Sequence, residues 1–213
     1  MRKFIVIAFL FFCQTVFCQE YYFDTLFEYE LTNRGSDVLI CNSSSKNYTF
    51  FCYNDGSALE GTLKDYKNNI EHYYSLKNNG ATIEFTYIHS KKVNFEKEPC
   101  TVKKDWYNMN EVIIDSINKS YEIIEYYTRK KKSAYRSYKM YLKKYSNSFV
   151  PIFTYGVFDD FLKCKLFDYP SGYVPYLVES NYQNKGYKII SKIIQAKKIN
   201  TLLTLKPEDI KYN

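Results

Sequence analysis

Two histidines, His72 and His89, are the only imidazoles in the chain. Histidine is the side chain whose ordinary pKa suits proton transfer near neutrality. In the strand register set out below, Asp65 and Tyr87 fall beside His72, with His89 on the same face. One reading is a general base oriented by a carboxylate. The other is a polar cluster at the rim of a sheet, where Asp65 and Tyr87 satisfy a buried ring. No nucleophile stands out next to the pair. That favours the structural reading, and no residue is assigned a catalytic role.

Cysteine is the next reactive type. Of six cysteines, Cys13 and Cys18 lie in the first 18 residues, leaving Cys41, Cys52, Cys100 and Cys164. In an oxidising compartment these four allow two disulfides in three connectivities. A Cys41–Cys52 bridge would be poor, because the register puts the two side chains on opposite faces. The alternative is that the cysteines are unpaired and Cys52 is a small core hydrophobe. No CxxC or Cys/His spacing suggests zinc, so neither a metal nor a cofactor is expected. The densest charge is the basic run Arg129-Lys130-Lys131-Lys132, continued by Arg136, Lys139, Lys143 and Lys144. Tyr135, Tyr138, Tyr141 and Tyr145 interleave with it, a pattern that can stack on bases or sugar rings. A solvated turn and strand face is the preferred reading, and no nucleic-acid partner is expected.

These groups belong to an exported chain. Arg2 and Lys3 precede the apolar run Phe4 to Phe12, and a short polar step leads to Val16-Phe17-Cys18. This is the order of a secretory signal peptide. The run is too short to cross a bilayer, which takes about 20 residues. The expected mature chain starts at Gln19, carries no transmembrane segment and is one β-rich domain over residues 19–213, secreted or in the periplasm or cell envelope. Without Arg2 and Lys3 the net charge of +7 falls to +5. Lipid attachment at Cys18 is disfavoured, because Val16 and Phe17 are larger than such a site takes.

The elements that must position these residues are strands. The chain has 24 Tyr and 16 Phe but only 7 Gly and 5 Pro, which favours sheet over disorder. The expected fold is mainly β: a curved antiparallel meander with one or two short helices, or α+β if 111–145 is helical. Asp55-Gly56, Asn68-Asn69 and Asn79-Gly80 read as two-residue hairpin turns. The loops pair Cys52 with Leu59, Leu63 with Tyr74, and Tyr74 with Phe85. They put Tyr48, Phe50, Cys52, Leu59, Leu63, Tyr74, Leu76, Ile83 and Phe85 on one face, and a one-residue slip would destroy that agreement. Residues 91–110 read as a polar connection. In 111–145 the Tyr and Ile content favours strands, with a turn at Asn118-Lys119 and with Tyr138, Met140 and Leu142 sharing a face. A short helix is expected near Tyr155–Lys165. A hairpin, Tyr173–Tyr182 and Tyr187–Ala196, and a separate closing strand, Thr201–Leu205, complete the reading.

The second half carries a resemblance. Phe149-Val150-Pro151-Ile152, Pro170-Ser171-Gly172-Tyr173-Val174, Asn184-Lys185-Gly186 and Leu202-Leu203-Thr204-Leu205, with Phe17-Cys18-Gln19, resemble small exported flavobacterial-type proteins of unknown function. The resemblance implies an envelope or secreted protein and no activity. A curved sheet with one apolar face is also similar to the half-barrels of lipoprotein carriers of the LolA/LolB group, an analogy of fold alone. The functional expectation is non-catalytic binding of a lipid, another apolar ligand or an envelope protein partner, with Tyr48, Phe50, Leu63, Tyr74, Phe85 and Tyr87 lining a groove. The alternatives are a structural subunit docking through aromatic strands, and a hydrolase using His72 or His89.

Overall fold

A computed structural model describes residues 18–32, 35–54, 59–78, 83–95, 106–113, 117–145, 170, 172–183, 185–206 and 209–212. Its strands are β1 (Gln19–Leu31), β2 (Gly35–Asn42), β3 (Ser45–Asn54), β4 (Leu59–Asp65), β5 (Ile70–Asn78), β6 (Ile83–Lys92), β7 (Tyr107–Ile113), β8 (Asn118–Tyr126), β9 (Ala134–Lys144), β10 (Tyr173–Tyr182) and β11 (Tyr187–Leu205). They form one open, curved antiparallel sheet in the order β6-β5-β4-β3-β2-β1-β11-β10-β9-β8-β7. Two meanders of neighbouring strands are thus joined where the first strand pairs with the last, from Gln19 opposite Leu205 to Leu31 opposite Ser191.

The two meanders bury opposite faces. Residues paired across a ladder share a face. Met140 pairs with Val178, Val178 with Ser191, and Ser191 with Leu31. Leu31 alternates with Phe27, which pairs with Leu39, and Leu39 is one residue from Ile40 opposite Phe50. The buried face of β8–β10, with Ile123, Tyr138, Met140 and Leu142, is therefore the reverse of the face holding Phe50. β2 sits between them and is covered on both sides, so Leu39, Ile40 and Cys41 are all buried. Burial on both faces explains why this strand is a continuous apolar run.

β1 changes sides to serve both cores. Tyr21 and Phe23 pack with Ile40 and Phe50, whereas Phe27, Tyr29 and Leu31 pack with Leu39 and Cys41. The switch falls at Asp24, where the pairing is irregular: Phe23 meets Thr201 but Thr25 meets Lys198, so two β11 residues lie opposite Asp24. Such a bulge changes which side the residues beyond it face. Asp24 also ties down the β2–β3 turn. Its carboxylate accepts from the Ser43 amide (2.8 Å), the Ser43 hydroxyl (2.6 Å) and the Thr25 hydroxyl (2.7 Å).

The strand reading of 111–145 and the mainly antiparallel fold class hold. The hairpin loops differ from expectation. Asn54 pairs with Leu59, Asp65 with Ile70 and Asn78 with Ile83, so each loop spans four residues, not two. At 66–69 the cause is visible: Asp65 accepts from the Asn68 amide (2.9 Å) and side chain (2.7 Å), and Asn69 takes a left-handed φ of 57°. This side-chain-closed turn displaces the tighter one. A slip of two residues preserves parity, which is why the apolar face survives while Leu63 meets His72 rather than Tyr74. The Asn118-Lys119 turn is also displaced, since Lys119 pairs with Ile113 inside the ladder. Tyr187–Ala196 and Thr201–Leu205 are one continuous strand, held by β10 at one end and by β1 along most of its length. The last hairpin is therefore part of the sheet rather than a layer packed on it. The helix expected near 155–165 lies outside the described residues.

Candidate functional site

β1 outruns β2: their pairing covers only Thr25–Leu31. The half beyond β2, still paired with β11, leans across the face of β3–β5. Tyr48, expected to line a groove, instead staples this overhang: its hydroxyl accepts from the Tyr22 amide (3.1 Å) and donates to the Tyr22 carbonyl (2.9 Å). Tyr21 reaches β4 and β5, its hydroxyl lying 2.9 Å from Asp65 Oδ2 and 3.1 Å from His72 Nε2. In a flat sheet β1 and β5 would stand about 19 Å apart at the usual spacing of ~4.8 Å. The contact requires the sheet to curl over this face.

A bulge then decides what faces His72. Tyr74 pairs with Tyr87 but Tyr73 pairs with His89, leaving Ile88 as the extra residue. The expected placement of His89 beside His72 is thereby corrected. His89 turns to the other face and stacks on Tyr73 (centroids 4.6 Å apart). Ser90 takes its place, with its Oγ 2.6 Å from His72 Nδ1 and 2.7 Å from the Tyr87 hydroxyl. Only the bulge could have revealed Ser90. A β-bulge at Ile88 has no marker in the sequence, which carries no Gly there.

One proton assignment fits these contacts. The Tyr21 hydroxyl has one proton and three acceptors in reach, Gln19 Oε1 (3.0 Å), Asp65 Oδ2 and His72 Nε2; with that proton on Asp65, His72 donates from Nε2 to the Tyr21 oxygen and accepts from Ser90 at Nδ1. That is a neutral imidazole. Burial is the main cause, lowering the His72 pKa to about 4 against the raising effect of Asp65. The series Asp65–Tyr21–His72–Ser90 has the order of an orienting acid, a base and a hydroxyl nucleophile. Both His72 and Ser90 are 0% exposed. The segment at Lys211–Tyr212 closes this rim: the Ser90 amide donates to the Lys211 carbonyl (2.6 Å) and Tyr212 bridges to Ser90. Among the described residues His72 and Ser90 are thus hydrogen-bonded to neighbours and neither is exposed.

The expected ligand-lining residues pack on one another. Phe50 meets Tyr74 (5.3 Å) and Phe85 (5.3 Å), and Tyr74 meets Tyr87 (5.7 Å). Phe50, Leu63 and Tyr74 are buried, while Phe85 is 37% exposed. The Phe50 ring lies against Gly61, where an added Cβ would come within 2.6 Å of it. Cys41 and Cys52 are free thiols buried in separate cores, so at these two positions the unpaired alternative applies rather than the possible disulfides. Cys100 and Cys164 lie outside the described residues.

Open space exists on the reverse face. A groove of about 780 Å³ is bounded by Phe27, Tyr145, Val174, Tyr176, Ile193 and Ala196, with Ile117, Asn118, Lys143 and Lys144 at its β8–β9 end. The Tyr145 ring stands edge-on to Phe27 (5.4 Å), and Lys198 Nζ lies 5.7 Å over it. Two members of the basic run are neutralised across strands, Arg136 by Glu125 (2.9 Å) and Lys139 by Glu122 (3.4 Å). Arg136 also stacks with Tyr135 (4.7 Å), Tyr182 (5.1 Å) and Tyr138 (5.6 Å). Among the described residues Lys143 and Lys144 have no carboxylate partner. Sequence reading missed this groove because its residues come from five strands and sit on the face opposite the first apolar surface.

Among the described residues no cluster of three or more His, Cys, Asp or Glu could hold a metal, and no helix is long and apolar enough to cross a membrane. The fold defines an antiparallel β protein. No family model and no curated protein matches the chain. Among solved structures it is similar to a DUF1329-family protein from Desulfovibrio piger, 10% identical over 89% of each chain, with a TM-score of 0.27. A score that low supports no conclusion about fold or function. Neither the flavobacterial resemblance nor the lipoprotein-carrier analogy gains support from these comparisons.

Proposed function

We propose that the chain is an exported, non-catalytic binding protein of the cell envelope that holds an apolar ligand in the groove between β9, β10, β11 and β1. The groove carries the reading. Its volume of about 780 Å³ is that of a small-molecule site, typically ~300–1,000 Å³ and mostly apolar with a few polar groups. The pocket beside Tyr21, Tyr48 and Asp65 on the other face is smaller, about 210 Å³. The charged amino end of the chain supports export. A hydrolase built on His72 and Ser90 would need a substrate to reach two buried side chains.

The test is binding of a neutral apolar fluorophore, Nile red, to the purified protein. Ala196→Trp, which fills the groove, should abolish binding while the circular dichroism spectrum stays unchanged. Equal binding by a folded Ala196→Trp protein would overturn the reading. A partner-docking subunit is the second reading, favoured by β7, which ends the sheet and exposes Met109 and Val112. An unpaired strand edge is a template for another strand. Concentration-dependent association that a Val112→Lys substitution suppresses would support it.

A further inference from the structure

We infer that the ligand of this groove is a single-chain fatty carboxylate, its head held at the β9 end by one of the two terminal lysines, Lys143 or Lys144, and its chain laid along Phe27, Tyr145, Val174 and Ile193. This rests on the binding reading above and narrows it to one chemical class.

Charge at an apolar groove is the argument. Lys143 and Lys144 end β9, are exposed, and border the same space as Phe27 and Val174; as neighbours in one strand they point to opposite faces, so one of the two serves the mouth. Lys198 adds positive charge beside Tyr145; it donates to Thr25 Oγ1 (3.3 Å) and is partly offset by Asp24. A neutral ligand would leave the β9 ammonium charge unused, and a cationic amphiphile would be repelled. A carboxylate at the mouth gains charge-assisted hydrogen bonds from a lysine that lacks an acidic partner among the described residues. Aromatic and branched side chains behind them supply apolar surface for a methylene chain, each buried CH₂ contributing about 0.8 kcal/mol. The groove takes one chain with a compact head; a two-chain lipid is bulkier than the space.

Matched probes test this: decanoate, 1-decanol and decyltrimethylammonium share a chain and differ in head charge. Isothermal titration of the purified protein should give decanoate the lowest Kd. The double variant K143A/K144A should weaken decanoate by about tenfold, the scale of a lost charge-assisted contact, and leave decanol unchanged. K143R/K144R should retain most of the preference. Added salt should weaken decanoate alone. Equal affinity for decanoate and decanol, or a preference unaffected by K143A/K144A, would overturn the carboxylate inference while the groove reading stands. If none of the three binds, or if a folded Ala196→Trp protein binds them all as before, the groove reading falls and this inference falls with it.

Discussion

His72 has an ordinary value near 6.5 when unfolded, and burial holds it at about 4 in the fold. Between those values the unfolded chain binds the extra proton, so stability is full above pH 6.5 and falls as pH drops toward 4. Urea midpoints from pH 7 to 4 should show this slope, and His72→Gln should flatten it. Two neighbours predict opposite signs. Gly61→Ala forces a Cβ into the buried Phe50 ring and should cost about 1–3 kcal/mol, the usual range for overpacking. The Tyr74 hydroxyl is buried with no hydrogen-bond partner among the described residues. Tyr74→Phe should therefore be neutral or stabilising, because it removes a desolvated polar group without breaking a bond. Denaturant melts of both variants check the pair.

Asp24 sets geometry for two elements at once. Burial works against its charged form, but bonds from Ser43 and Thr25 win and hold its pKa below the ordinary value. Asp24→Ala should cost about 1–3 kcal/mol through lost charge-assisted bonds. It should also speed amide exchange at the β2–β3 turn more than at the β4–β5 loop. Burial on either side of the sheet pushes the Cys41 and Cys52 thiols up to about 12. Iodoacetamide should spare both in the native protein and label both in urea; labelling under native conditions would contradict their placement. At this scale the hairpins were legible. Alternation marks the buried face, and loops longer by two residues do not disturb it. The Ile88 bulge was not legible, because it depends on how β6 meets β5 rather than on any local residue preference.

Joining the meanders requires pairing of residues as far apart as Gln19 and Leu205. Hairpins close short loops, whereas this ladder closes nearly the whole chain, at a larger entropic cost. Substitutions in the hairpins, such as Leu63→Ala, should slow folding. Leu205→Ala, in the β1–β11 ladder, should mainly speed unfolding. Stopped-flow chevrons separate the two, and a Leu205→Ala protein whose folding limb slows as much would show that the halves join early.

Composition, turn residues and period-two alternation were enough to determine an antiparallel β chain and the membership of one apolar face. Those properties are set by neighbours close in the sequence. The tertiary structure alone decided that the two meanders bury opposite faces, that β11 is one strand, that Ser90 rather than His89 meets His72, and that the open groove lies behind the first core. Each depends on a bulge or on a pairing between distant segments, and alternation within a strand carries no information about which distant strand will lie beside it.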